Sequence, residues 1–336
     1  MKTSLAELLA TQRPLLADGA TGTNYFAMGL TSGEPPEFWI TDHPDRVKHL
    51  HQAFVDAGSD IILTNTFGAN RSRLALHNAQ DQCFELSKRA AELARDVADA
   101  SPRPIVVAGS IGPTGELFVP LGSLEHDVAV AIFEEQIRGL QAGGADVAWI
   151  ETMSAIEEMC AAAQAAINVG MPYVVTCSFD TAGRTMMGMM PGDLTAVFDG
   201  LAVKPLAVGA NCGVGASDIL VSLLNMTERD DQTNFVSKGN CGVPRFAGTD
   251  IVYSGTPELM GDYARLAVDA GARIIGGCCG TSPQHLMSMR NAIDHHVAQP
   301  RPTLASIIAT IGPLANTAPT AEAPTRSRRR SGTNED

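Results

Sequence analysis

The segment IIGGCCGTSPQH, residues 274–285, places two adjacent cysteines, Cys278 and Cys279, between glycines at the end of an apolar run. Neighbouring cysteines bridge each other only with strain, because a disulfide needs its Cα atoms about 4.4–6.8 Å apart and a suitable dihedral. Their remaining chemistries are those of a redox device, of small apolar residues in a core, or of soft metal ligands. Two further cysteines, Cys212 and Cys241, each sit in an NCGV tetrapeptide, at 211–214 and 240–243. Three thiolates converging on one ion would make a three-cysteine zinc site. Its fourth tetrahedral position stays open, the mark of a catalytic rather than a structural centre. Flanking glycines let consecutive side chains turn toward one ion. The spacing contains no CxxC pair and does not choose between Cys212 and Cys241.

Such a site needs elements that bring distant segments together. Eight short apolar runs recur, at 15–22, 60–67, 105–112, 147–153, 173–180, 206–213, 234–240 and 272–280. They are continuously apolar rather than alternating, which predicts strands buried on both faces of a parallel sheet. Helical patterns lie between them. In 44–60, Val47, Leu50, Phe54 and Val55 form one stripe, and 127–146 and 257–273 behave alike. Each of these helices ends in Ala-Gly just before a strand, a natural C-terminal stop. Eight strands alternating with helices predict a single-domain (β/α)8 TIM barrel over residues 1–300, with a doubly wound sheet as competitor. In a barrel the strand ends open on one face, so Cys212 from strand six and Cys278–Cys279 from strand eight share a rim. Residues 301–336 are rich in Pro, Thr and Arg and are expected to form a disordered tail.

A formal charge of −13 argues against a general nucleic-acid binder, since phosphate backbones attract basic surfaces. The N-terminus has no signal-peptide pattern, and no apolar run approaches the roughly 20 residues that span a bilayer. Seven cysteines in a chain of cytoplasmic character read as thiols or ligands rather than a disulfide framework. His49, His51, His295 and His296 read as helix-surface residues.

Taken together, DGATGT (18–23), TNTFGANR (64–71), GSIGPTGE (109–116), IETM (150–153), GANCG (209–213) and GGCCGTSPQH (276–285) closely resemble the homocysteine S-methyltransferase family. That family includes betaine–homocysteine methyltransferase and the homocysteine module of cobalamin-dependent methionine synthase. The resemblance runs from about residue 15 to 295 and implies the same barrel. It implies zinc held by Cys212, Cys278 and Cys279, with Cys241 nearby as a non-ligand. It also implies that Asp18 and Gly19 hold the amino and carboxylate groups of homocysteine, backbone NH groups meeting the carboxylate, and that Glu151 pairs with the ammonium. The implied reaction is methyl transfer to a homocysteine thiolate activated by zinc, giving methionine.

The donor expected is a methylcorrinoid or a small onium compound such as betaine. A quaternary ammonium favours aromatic faces, and the betaine enzymes carry tyrosines where this chain has Thr152 and Gly68. On that ground a corrinoid donor, on a separate protein because no segment is left to encode its domain, is expected to serve at least as well as betaine. Phe38 and Trp39 form an expected lid, and Phe118 is a further aromatic candidate. Two other readings compete: a Schiff-base lyase using Lys238, and a non-catalytic zinc- or thiol-binding barrel with Cys241 as an inert fourth ligand. Neither a nucleic-acid nor a membrane partner is expected, and the pattern is compatible with an oligomer.

Overall fold

The computed structural model describes residues 3–242, 244–247 and 250–316. The strands are β1 (Leu15–Leu16), β2 (Ile61–Leu63), β3 (Val106–Ile111), β4 (Val147–Met153), β5 (Tyr173–Cys177), β6 (Ala207–Cys212), β7 (Phe235–Gly239), β8 (Pro244–Ala247), β9 (Asp250–Tyr253) and β10 (Ala272–Gly277). Eight pair in the order β1-β10-β7-β6-β5-β4-β3-β2, every pair parallel. A parallel bridge between Ala17 and Ile61 joins the two ends. The result is a (β/α)8 TIM barrel, as the strand count predicts. β8 and β9 form a separate antiparallel hairpin after β7.

The continuous apolar runs have a direct cause. Alternate residues such as Leu15, Ile61, Leu63, Val106, Val147, Trp149, Val174 and Val236 fill the interior. Their neighbours Leu16, Ile62, Val107, Ala148 and Val175 pack outward against the helices. Both sets are buried, so no polar alternation survives. A short helix, α1 (Leu5–Ala10), puts Leu5, Leu8 and Leu9 with the interior set.

The outer helices include α2 (Gly22–Ala27), α3 (Trp39–Asp42), α4 (Pro44–Asp56), α5 (Arg71–Ala75), α6 (Cys83–Ala100), α7 (His126–Ala142), α8 (Ile156–Val169), α9 (Ala216–Arg229), α10 (Pro257–Asp269) and α11 (Pro283–Asp294). The β5–β6 connection carries only two short 3-10 turns, Pro191–Asp193 and Thr195–Phe198. The Ala-Gly endings behave as expected: Gly58, Gly144 and Gly271 have φ of 102°, 94° and 100°, a left-handed conformation that favours glycine.

Three expectations need correction. His51 is buried on the inner stripe of α4 beside Val47, Leu50, Phe54 and Val55. Neither ring nitrogen has a partner among the described residues, and burial pushes its pKa down to about 4, so it is a neutral core residue. Trp39 is buried against Tyr25, at 5.1 Å between ring centroids, with Arg46 over its ring, and is no lid. The ordered chain also continues past residue 300. A helix α12 (Leu304–Ile311), capped by Thr303, buries Ile307 and Ile311 against α9 and α10. The polar composition of 317–336 outweighs the short apolar run LASIIATI at 304–311 when 301–336 is read as one segment; the tail expected beyond 316 lies outside the described residues. No helix among the described residues is long and apolar enough to cross a membrane.

Candidate metal and substrate site

At the C-terminal end of the barrel opens a cavity of about 580 Å³. Cys212, Cys278 and Cys279 reach its wall from the ends of β6 and β10. Their sulfurs lie within 4.8 Å of one another, with Cys212 Sγ and Cys279 Sγ 4.0 Å apart. Zn–S bonds of about 2.3 Å in a tetrahedron imply S–S separations near 3.8 Å, so the trio fits a thiophilic ion. The proton balance agrees. Hydrogen bonds from Cys212 and Cys278 hold the Cys279 thiol far below its usual range, while Cys212, donor to both, is pushed up. Three thiolates this close repel one another unless a cation neutralises them. Cys241 is fully buried and outside the trio.

Two asparagines build this geometry, and sequence reasoning passed over both. Asn240 accepts from Cys279 N (3.0 Å) and donates to Gly213 O (3.1 Å), tying the two ligand segments together. Asn211 accepts from Thr152 N (2.8 Å) and Thr176 Oγ1 (2.7 Å) and donates to Thr152 Oγ1 (2.7 Å). This clamp holds two residues in left-handed conformations, Thr152 at φ 63° and Cys212 at φ 59°, where non-glycine residues are strained by about 1–3 kcal/mol. The signal was present in the repeated Asn-Cys-Gly at 211–213 and 240–242; the cysteine drew attention and the asparagine did the positioning. Cys241 N donates to Cys279 O (2.9 Å), so the second repeat supports the ligand loop through its backbone.

Glu151 lies in β4 where the register with β5 shifts between Ile150 and Met153, an irregularity of the kind that re-aims side chains. It lines the cavity, and its Oε1 accepts from Ser110 Oγ at 2.5 Å. Burial pushes its pKa up to about 7 despite Lys238 nearby. Gly19 also lines the cavity. A Cβ there would stand 2.6 Å from Thr281 O, so only glycine lets these segments meet.

Asp18 is placed otherwise. It is fully buried and outside the cavity lining. Its Oδ2 accepts from Leu63 N (2.7 Å) and its Oδ1 from Lys238 Nζ (2.9 Å). Lys238 does line the cavity. Burial opposes its charge, but Asp18 and Glu151 outweigh it and raise the pKa above the ordinary lysine value. A protonated, ion-paired amine is a poor Schiff-base nucleophile.

The sequence profile of the homocysteine S-methyltransferase family matches residues 15–293. The chain belongs to that family. It is 31% identical over 310 residues to the methionine synthases of Mycobacterium leprae and Mycobacterium tuberculosis, covering 87% of this chain and 25% of each of those proteins. The chain therefore spans about a quarter of the length of these curated relatives. Among solved structures, the metallated form of the homocysteine methyltransferase MmuM from Escherichia coli superposes with a TM-score of 0.72 at 22% identity, over 85% of this chain and 98% of that one. The oxidized form of MmuM gives the same TM-score at 23% identity, over 84% and 97%. At that identity the likeness speaks for the fold.

Proposed function

We propose that this protein methylates homocysteine on sulfur to give methionine, with zinc held by Cys212, Cys278 and Cys279. The observation that carries the reading is the convergence of three thiol sulfurs within 4.8 Å on the wall of a cavity that also holds Glu151 and Lys238. Bound there, zinc supplies a Lewis-acid position that favours the deprotonated form of a substrate thiol whose free pKa is about 8.5. Glu151 accepts from the substrate ammonium, with Ser110 fixing its other face. Gly19 and Lys238 meet the substrate carboxylate, and Asp18 acts through Lys238 as a positioning residue. The sulfur then attacks the donor methyl in line. An S–C bond forms, the donor–methyl bond breaks, and its electron pair stays with the donor. The barrel contributes orientation, which is worth several kcal/mol when reactants are held at near-attack distance.

The donor belongs to one of two classes, a methylcorrinoid on a partner protein or a small onium compound. Because the site needs reduced thiols and all seven cysteines are free, a reducing, cytoplasmic setting suits it. A non-catalytic zinc site would want a fourth protein thiol, and Cys241 stands apart. The test is methionine formation from homocysteine with betaine, dimethylsulfoniopropionate, S-methylmethionine and methylcobalamin as donors, alongside elemental analysis. Zinc-loaded protein that forms no methionine with any of them refutes the proposal.

A further inference from the structure

The chain beyond residue 293, where the family match ends, turns back to the thiol rim. Arg301 starts this return near the C-terminal end of α9, donating to Leu224 O and Thr227 Oγ1, each at 2.8 Å. α12 then runs back along α9, and Ser217 Oγ donates to Gly312 O at 2.8 Å just past its end. Asp218, in the first turn of α9, accepts from Ala315 N (3.1 Å) and from Asn316 N (2.8 Å). The Asn316 side chain reaches further. Its Oδ1 accepts from Ala182 N (2.9 Å) and its Nδ2 donates to Phe179 O (3.4 Å). Ala182 has φ 50°, a conformation that a non-glycine residue keeps only when its surroundings impose it.

These contacts join the segments that follow β5 and β6, and the second of them carries Cys212. Cys212 and Gly213 both turn through left-handed backbone, at φ 59° and 70°. A Cβ on Gly213 would stand 3.9 Å from Phe179 N and from Phe179 O, so the ligand turn rests on the peptide that Asn316 holds. Asn240 ties Gly213 from the inside of the rim; the C-terminal strap ties the same turn from the outside. Packing contributes less here. A cavity of about 170 Å³ opens between strap and rim, bordered by Phe179, Asp218, Leu314 and Asn316. With space on that side, the hydrogen bonds of Asp218 and Asn316 do most of the fixing.

We propose that residues 312–316 form a latch coupled to the metal site: closed, it fixes Cys212 for zinc, and zinc on Cys212 in turn holds it closed. Asp218 and Asn316 are its positioning residues, and neither lines the thiol cavity. This rests on zinc being held by the three thiols. Coupling between two sites is reciprocal. The factor by which an open latch weakens zinc equals the factor by which zinc suppresses opening. Anything that draws residues 312–316 away from Asp218 therefore weakens the metal site. A segment that merely covered α9 and α10 would add stability and leave both quantities alone.

Amide exchange of the full chain, with and without zinc, tests this. Zinc is expected to slow exchange at the Ala315 and Asn316 amides about fivefold or more. It should leave Gln299 unchanged, whose amide donates to Asp269 Oδ1 at 2.9 Å at the other end of the strap. Asn316→Ala and Asp218→Asn are expected to bind zinc about five- to tenfold more weakly in competition with a chelator. Their cobalt-substituted forms should show shifted thiolate charge-transfer bands. Indifference of the 315 and 316 amides to zinc overturns the proposal, as does wild-type zinc affinity in both variants. Equal slowing at Gln299 overturns it too, because overall stability is then what zinc changes. If neither variant folds, exchange in the wild type decides. Wild-type protein that takes up no zinc is the failure of the thiol-site reading, and the latch falls with it. Zinc bound beside indifferent amides is the failure of the latch alone.

Discussion

The two ends of the barrel treat buried carboxylates in opposite ways. At the N-terminal end, Asp60, 2% exposed, is saturated. Arg13 approaches at 2.8 Å, Arg290 at 3.3 Å and Arg103 at 3.6 Å, and Leu16 N donates at 2.9 Å. It staples β1 to β2 where the barrel closes. At the C-terminal end, Glu151 has one hydroxyl donor and a pKa near 7, and Glu37 has one backbone donor. A carboxylate whose partners are all present belongs to the architecture. One with few partners on a cavity wall is a candidate for meeting a ligand.

The largest expected effect breaks the active end alone. Cys279→Ala should lose most of its zinc by elemental analysis and more than a hundredfold in methyl transfer, while circular dichroism stays barrel-like. Full metal retention would remove Cys279 from the ligand set. Next comes the opposite end. Asp60→Ala leaves three arginines without their carboxylate and is expected to cost about 3 kcal/mol, toward the low end for buried pairs because Arg13 and Arg103 are partly solvated. That corresponds to a melting temperature lower by about 6–12 °C, with homocysteine affinity of the folded protein unchanged. An affinity change instead of a stability change would collapse the distinction between the two ends.

Glu151→Gln should weaken homocysteine binding by roughly ten- to a hundredfold, the worth of one charge-assisted hydrogen bond of about 1.5–3 kcal/mol, and keep zinc. Calorimetry across pH sharpens this. Because Glu151 ionises near pH 7, wild-type affinity should gain a component rising through that pH, and the glutamine variant should lack it. The linked stability runs the other way. A carboxyl whose folded pKa is raised contributes stability that is full below its unfolded value of 4.5 and is lost as pH rises to about 7. The smallest effect is Cys241→Ala, with zinc retained and a stability loss of about 1 kcal/mol from a small buried side chain. Zinc loss there would make the second Asn-Cys-Gly a ligand segment.

The sequence by itself determined the barrel, because strands buried on both faces leave an unbroken apolar signature and glycine-stopped helices leave a regular one. It also supplied the three cysteines, since adjacent thiols between glycines have few other uses and the family motif names their partner. What it could not carry was the division of labour among polar residues. Asp18 and Lys238 are separated by 220 positions in the chain, and nothing local says that they form an ion pair. Asn211 and Asn240 look like turn residues until their side chains are seen spanning two strand ends. The Trp39 lid failed because exposure is decided by what packs on a residue, and Tyr25 and Arg46 cover this ring. Glu37 was one acid among many until the fold set it against Gly68. Periodicity is written locally, along one element. Charge pairing in a closed barrel depends on which strand ends become neighbours, and only the tertiary structure decides that.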